Sequence, residues 1–110
     1  MESMQKKAVR ELRRRVEREF PGALRQLLVF GSVARGTNAP DSDIDILVIL
    51  ENTDVPQTWT LEKKLRDIAF PVELEFDVVF DLKLALSRDL LDARGRTPFM
   101  ENVFGEGVTV

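Results

Sequence analysis

The sequence of 110 residues contains no cysteine, no histidine and no tyrosine. Without cysteine the chain has neither disulfides nor thiolate metal sites. Without histidine it can build neither a Ser-His-Asp triad nor the usual zinc sites, and it lacks the commonest general base. Any chemistry must come from carboxylates, Lys, Arg, Ser, Thr and backbone groups. A bound metal should therefore be a hard cation held by oxygen, such as magnesium or manganese.

Long apolar runs are also lacking, since none approaches the roughly 20 residues that span a bilayer. The charged N-terminus has no signal-peptide apolar region, so we expect a cytoplasmic protein without a membrane partner. The length suits one domain over residues 1–110. Net charge is -3, yet residues 1–20 hold seven Lys or Arg against four Glu. Because the rest is acidic, we do not expect direct nucleic-acid binding.

Hydrophobic periodicity and turn residues predict alternating helices and strands. The first is an amphipathic helix that ends near Pro21-Gly22, and strands over Leu24 to Phe30 and Asp43 to Leu50 follow it. Next come a helix over Pro56 to Ala69 and a strand over Val72 to Phe80. The last two elements are a helix from Asp81 to about Ala93 and a short helix from Thr97-Pro98 to near Gly105. Pro71 is expected to end the second of these helices, and Asp81 to cap the third.

Two carboxylates stand at the start of the second predicted strand. Asp43 and Asp45 are two residues apart, so their side chains point to the same face, with Cα atoms about 6.6 Å apart. The rest of this strand is wholly apolar and carries no Lys or Arg. Because a half-buried carboxylate is costly unless it is paired or bound to metal, the pair predicts a metal site.

A third acid would complete such a site. In the predicted third strand, Asp77 stands inside the apolar run from Phe76 to Val79. We take Asp77 as the third ligand. Glu75 lies on the same predicted face and is the competing choice, and it could share or replace the role of Asp77.

Gly31-Ser32, at the end of the first predicted strand, is suited to binding phosphate. The glycine lets the backbone approach a triphosphate closely, and a following helical turn would offer free N–H groups. Ser32 adds a hydroxyl donor. Arg35 could contact phosphate or pack structurally, and both remain open.

Two other motifs are excluded. Asp41-x-Asp43-x-Asp45 superficially resembles the start of a calcium-binding EF-hand loop, which needs Gly at its sixth position and Glu at its twelfth. Those positions hold Ile46 and Asn52. A Walker A loop is excluded because no Lys follows the glycine at the required place.

One motif of the sequence resembles the signature of the polymerase-beta-like nucleotidyltransferase superfamily. It consists of Gly31-Ser32, then ten residues, then Asp43-Ile44-Asp45. The fuller form, Gly-Ser-x-Ala-Arg-Gly with Ser-Asp-x-Asp, is similar to that of the minimal nucleotidyltransferases of prokaryotes. The resemblance implies an α/β fold (α+β in some schemes), with a small mixed sheet flanked by helices. It also implies a mechanism with two magnesium ions, or manganese. By this resemblance Asp43, Asp45 and Asp77 would be the catalytic, metal-binding residues, and Gly31, Ser32, Arg35 and Ser42 would bind the nucleotide.

The same resemblance implies a partner, because the chain has no second domain to hold an acceptor. Minimal members of the family are typically paired with a HEPN-domain protein, often an RNase toxin. We therefore expect an antitoxin, in a homo- or hetero-oligomer, that transfers AMP from ATP to a tyrosine of that partner. A non-catalytic binding module that neutralises its partner by contact is the alternative. A stand-alone transferase for a small molecule is the third possibility. The nucleotide base and the acceptor stay open.

Overall fold

The computed structural model describes residues 4–30, 43–51, 58–86 and 108–109. The elements within these ranges are α1 (Met4–Glu19), β1 (Leu24–Phe30), β2 (Ile44–Leu50), α2 (Thr58–Phe76), β3 (Phe80–Leu86) and β4 (Val108–Thr109). The first three predicted elements are confirmed, since β1 has its predicted bounds and β2 begins one residue later than expected. No helix in the described ranges is both long and apolar enough to cross a membrane.

The strands form one mixed sheet in the order β3-β2-β1-β4. β1 is antiparallel to both β2 and β4, whereas β2 and β3 run parallel. A parallel pair needs a crossover connection, and the connection from β2 to β3 contains α2. The predicted class, a small mixed sheet with helices, is confirmed.

Alternate residues of β2 divide the sheet into two faces. On one side, which we call the helix face, Ile44, Ile46, Val48 and Leu50 belong to a buried cluster with residues of both helices. The helix residues in that cluster are Ala8, Val9, Leu12, Val16, Leu61, Leu65, Ala69 and Val72. On the other side, which we call the second face, Leu47 and Ile49 are buried with Leu28. β2 is thus buried on both sides, as its continuous apolar sequence requires.

The turn after α1 follows directly from the sequence Phe20-Pro21-Gly22-Ala23. The Ala23 N–H donates to the Phe20 carbonyl at 3.0 Å, and Gly22 has a φ of 74°. Proline at the second position and a left-handed glycine at the third are the signature of a type II turn. The predicted end of the first helix near Pro21-Gly22 is therefore confirmed, and this turn joins α1 to β1.

The predicted end of the second helix at Pro71 is wrong, because α2 continues through it to Phe76. A proline inside a helix removes one backbone hydrogen bond and crowds the preceding turn. Here the apolar positions continue past it at helical spacing: Leu65, Ala69 and Val72 are buried, and Phe76 packs against the same core. Burial of this stripe therefore outweighs the local cost of the proline.

The strand predicted over Val72 to Phe80 is consequently wrong as well. Residues 72–76 are helical, and β3 begins only at Phe80. The helix predicted from Asp81 is wrong over residues 81–86, which form β3. Its remainder, the short helix predicted near Gly105 and the helical turn predicted within residues 33–41 lie outside the described residues.

The segment between α2 and β3 is closed by hydrogen bonds to Glu73. Asp77 has a φ of 54°, and the Val78 N–H donates to the Glu73 carbonyl at 3.1 Å. A left-handed residue followed by this bond is the Schellman termination of a helix. The Glu73 carboxylate also accepts the Phe80 N–H at 2.9 Å. Asp77 is thus the residue that ends α2, and it is not part of a strand.

A candidate carboxylate site on the second face of the sheet

The parallel pairing of β2 with β3 brings two acidic residues side by side. Asp45 is the register partner of Asp81. Both are half-buried. Alternation along each strand places Asp45 on the second face with Leu47, and Asp81 on the same face with Ala85, which packs against the cluster there. Two carboxyl groups from strands far apart in sequence thus meet on one face.

Asp45 is held in an environment that disfavours its negative charge. Burial raises the pKa of Asp45, and the neighbouring charge of Asp81 and a hydrogen bond between the two carboxyl groups raise it further. The charge of Asp43 also raises this pKa, by less, whereas the charge of Lys83 lowers this pKa. Two carboxylates that share one site cannot both ionise without cost. The Asp45–Asp81 pair, as we call it, therefore favours a nearby cation.

Asp43 and Lys83 lie at the edge of this pair. Asp43 immediately precedes β2, is exposed, and shares the alternation of Asp45. The Lys83 Nζ lies 3.3 Å from Asp81 Oδ1. Lys83 supplies one positive charge beside two or three negative ones, so the site keeps a negative excess. The sequence analysis missed Lys83 because it considered only the cations of β2 itself.

The structure does not bring Asp77 into this site. Asp77 is exposed in the turn after α2, and the acids that raise the pKa of Asp45 are Asp81 and Asp43. The competing choice, Glu75, also lies away from the pair, because its carboxylate is 2.9 Å from Arg15 Nη2, against α1. Since β3 starts later than predicted, the acid that the structure places beside Asp45 is Asp81.

A sequence signal for Asp81 existed. The run Phe80-Asp81-Leu82-Lys83-Leu84 alternates apolar and polar residues, which is the period of a half-buried strand. The apolar members of this run belong to the core cluster on the helix face. The alternation places Asp81 and Lys83 on the opposite side, beside Asp45.

The predicted phosphate-binding residues Gly31, Ser32, Arg35 and Ser42 lie outside the described residues, so their roles stay predictions. The strand that leads to them is described. Phe30, which is bonded to Gly31, is the register partner of Asp45 across β1 and β2. The Gly-Ser dipeptide therefore follows directly from the residue beside the Asp45–Asp81 pair.

The fit of the site to a metal depends on its donor chemistry. In the described ranges no group of three or more His, Cys, Asp or Glu side chains is arranged to hold a metal ion. The Asp45–Asp81 pair offers carboxylate oxygens alone, which are the donors that magnesium and manganese prefer. A divalent cation would also offset the repulsion that raises the pKa of Asp45. The residues present therefore fit a hard cation held by Asp45 and Asp81, with Asp43 beside them.

A separate cavity of about 380 Å³ lies between the two helices. Its lining includes Arg15 and Arg18 from α1 and Lys64, Asp67 and Pro71 from α2. None of the three acids of the carboxylate site belongs to this lining. The cavity lies in the helix layer and the Asp45–Asp81 pair on the second face, so the two are distinct features.

Comparisons with known proteins support the fold and identify the family of the chain. Residues 9–96 match the family described as nucleotidyltransferase domain. A protein of Methanocaldococcus jannaschii, named as a candidate protein adenylyltransferase, is 28% identical over 103 residues, which cover 94% of each chain.

Two solved structures share the fold. A crystal structure of a toxin–antitoxin with AMP-PNP has a TM-score of 0.52 and 23% identity, covering 94% of this chain and 69% of that one. A candidate nucleotidyltransferase from Sulfolobus solfataricus has a TM-score of 0.50 and 22% identity, covering 99% of this chain and 86% of that one. Because the family match covers most of its length, the chain belongs to the nucleotidyltransferase domain family.

Proposed function

We propose that the chain transfers AMP from ATP to a hydroxyl group of a partner protein, using magnesium held by Asp45 and Asp81, with Asp43 beside them. The observation that carries the proposal is the Asp45–Asp81 pair, whose two carboxyl groups meet on one face. Burial and then the charge of Asp81 raise the pKa of Asp45. A carboxyl group whose pKa is raised by burial and a charged neighbour is typical of a functional site. Asp81 takes the place that the sequence analysis gave to Asp77.

The choice of AMP and of a protein acceptor is supported by the relatives. One is named as a candidate protein adenylyltransferase, and one structural neighbour is a toxin–antitoxin with AMP-PNP, an analogue of ATP. We extend both features to this chain: ATP as the donor, and a toxin partner as the acceptor. The resemblance to minimal nucleotidyltransferases points to a HEPN-domain protein as that partner and to one of its tyrosines as the acceptor.

In this reaction the acceptor oxygen forms a bond to the α-phosphorus of ATP, and the bond from that phosphorus to the pyrophosphate oxygen breaks. When bound, magnesium supplies charge neutralisation for the attacking and leaving oxygens. Asp81 accepts the proton of the attacking hydroxyl, since it is half-buried beside the other acids. Lys83, 3.3 Å from Asp81, holds that carboxylate in position. Gly31 and Ser32 donate hydrogen bonds to the phosphates.

The test is to produce the chain with the protein encoded beside it and to incubate the pair with magnesium and α-labelled ATP. We expect label on the partner with the wild type and none with Asp45→Asn or Asp81→Asn. The matched control is Asp77→Asn, which lies outside the site and should retain transfer.

The opposite outcome is equally clear. If no nucleoside triphosphate labels the partner while the complex forms and the partner stays inhibited, the catalytic proposal is wrong. The chain is then a binding module that neutralises its partner by contact alone.

A further inference from the structure

The strand that carries Asp81 lies at one end of the sheet, and β2 is its single neighbour among the described strands. The Val79 carbonyl accepts the Ile44 N–H of β2 at 2.8 Å. Because the C=O and N–H of one trans peptide point in opposite directions, the Phe80 N–H points away from β2, to the outer edge of the sheet. The carbonyl of the same residue points the same way, as it does along any strand. Phe80 is 1% exposed, so these two groups would be costly if they were left unpaired.

Two side chains of α2 pair with both of these backbone groups. The Glu73 carboxylate accepts the Phe80 N–H at 2.9 Å, and the Arg66 guanidinium donates to the Phe80 carbonyl at 3.1 Å. Together they supply the acceptor and the donor that a neighbouring strand would otherwise provide. We call Arg66 and Glu73 the Phe80 clamp.

The Phe80 clamp depends on the continuation of α2 through Pro71. Arg66 and Glu73 are seven positions apart, which is about two helical turns, so they lie on one side of the helix. A helix that ended at Pro71 would not place Glu73 there. The packing that carries α2 on to Phe76 therefore also brings the two members of the clamp together.

The alternation of apolar and polar residues does not by itself fix the register of β3. A shift by two residues would keep the apolar side chains of β3 on the helix face, because side chains alternate with a period of two. In one such register Leu82 would take the place of Phe80. Lys83 would then stand beside Asp45 in place of Asp81. Opposite charges at facing positions are favoured over like charges, so without metal the electrostatics favour this shift, and the two hydrogen bonds to Phe80 oppose it.

We infer that the Phe80 clamp positions the carboxylate site by fixing the register in which Asp81 stands beside Asp45. Arg66 and Glu73 are positioning residues of this site. Since α2 lies on the helix face and the acid pair on the second face, both act through the backbone of β3. The catalytic part of the inference rests on the proposed function, whereas the register of the two strands is measured without it.

The first measurement is nuclear magnetic resonance of the metal-free full chain. In the wild type we expect cross-strand nuclear Overhauser effects between the backbone protons of Asp45 and Asp81. Arg66→Met and Glu73→Met should each weaken these effects. Glu73→Met also removes the acceptor of the Phe80 N–H, so exchange of that amide hydrogen should speed up at least about fivefold.

The matched structural control is Glu75→Met. It removes an ion pair between α2 and Arg15 of α1, two residues from Glu73 on the same helix. Both the cross-strand effects and the exchange of the Phe80 amide should stay as in the wild type. Circular dichroism and urea unfolding establish that the variants are folded. If Arg66→Met does not fold, Arg66→Gln, which is too short to reach the carbonyl, takes its place.

The second measurement is the affinity for Mn²⁺ alone, from the electron paramagnetic resonance signal of the free ion. Arg66→Met removes a positive charge, which by simple attraction would strengthen Mn²⁺ binding. The clamp predicts the opposite, a loss of about tenfold, as is usual for residues that support metal ligands. Lys63→Met removes the same charge from the same helix, where Lys63 pairs with Asp67, and should not weaken binding. Glu73→Gln keeps an acceptor oxygen and should restore most of the affinity that Glu73→Met loses.

Two results would overturn the inference: an Asp45–Asp81 register that both methionine variants of the clamp retain, or a Mn²⁺ affinity that falls no more in Arg66→Met than in Lys63→Met. Label transfer to the partner is measured separately. If the wild type transfers no label while the clamp variants still change the register, the proposed reaction fails and the positioning of the acid pair by α2 stands. If the wild type transfers label and the clamp variants keep the register, the inference fails and the reaction stands.

Discussion

Replacing Asp81 with asparagine distinguishes two hypotheses: that the third acid of the site is Asp81, as proposed from the structure, or Asp77, as predicted from the sequence. Asp81→Asn keeps the shape of the side chain and removes its charge, next to the half-buried Asp45. If Asp81 holds magnesium and accepts the proton of the acceptor, transfer should fall by about 10²–10⁴-fold, which is the usual contribution of a positioned acid or base. Asp77→Asn should change the rate less than about twofold, because Asp77 is exposed in the turn after α2.

The same substitution has a second consequence, on stability. Like charges directly opposite in a sheet destabilise it by about 0.2–1 kcal/mol. In metal-free buffer Asp81→Asn should therefore raise the free energy of unfolding by up to about 1 kcal/mol, offset slightly by loss of the exposed contact with Lys83. Asp77→Asn should be neutral to within about 0.5 kcal/mol, since asparagine tolerates the left-handed conformation as well as aspartate does.

Urea unfolding with a chelator present measures the stabilities, and label transfer to the partner measures the rates. The combination expected for Asp81→Asn is a more stable but inactive protein. An Asp81→Asn variant that transfers AMP at the wild-type rate, or an Asp77→Asn variant that is inactive while folded, would refute the assignment of Asp81 to the site.

Further predictions concern the helices and the turn. Pro71→Ala should raise the free energy of unfolding by about 1–3 kcal/mol, since α2 continues through this proline and alanine restores a backbone donor; urea unfolding checks it. Asp77→Gly should stabilise by about 0.5 kcal/mol because glycine adopts the positive φ without strain, and unchanged or lower stability would contradict that account. Hydrogen bonds from Arg14 and Arg15 lower the pKa of Glu11. Because the pKa is lower in the folded state, the stabilisation is present above the ordinary pKa and is lost as pH falls through the folded one. Glu11→Gln should therefore cost about 0.5 kcal/mol at pH 7, a difference from wild type that shrinks below about pH 4 and that thermal melts across pH would detect.

The sequence predicted the first half of the fold well because its signals are local. The apolar spacing of α1, the Pro21-Gly22 turn and the aliphatic run of β2 each specify their own structure within a few residues. The alternation of β2 also predicted that Asp43 and Asp45 share one face. These predictions needed no knowledge of which segments meet in space, whereas the mixed sheet was implied by the resemblance to minimal nucleotidyltransferases.

The second half was predicted incorrectly at the point where tertiary packing outweighs a local signal. Pro71 is a helix breaker by its chemistry, yet Val72 and Phe76 continue the buried stripe of α2. Ending the helix early displaced the predicted strand, so the prediction placed Asp77 beside Asp45, where the structure has Asp81. The register of Asp45 with Asp81 joins residues 36 positions apart. Such a pairing depends on how the connection through α2 sets β3 beside β2, and the local periodicity of either strand does not encode that register.

The most direct test of the carboxylate site is anomalous diffraction from crystals of the chain grown with manganese and AMP-PNP. The account predicts manganese between the carboxylates of Asp45 and Asp81, with the phosphates bound on the second face of the sheet. Manganese bound at Asp77, or nucleotide bound without metal on the helix side, would contradict it.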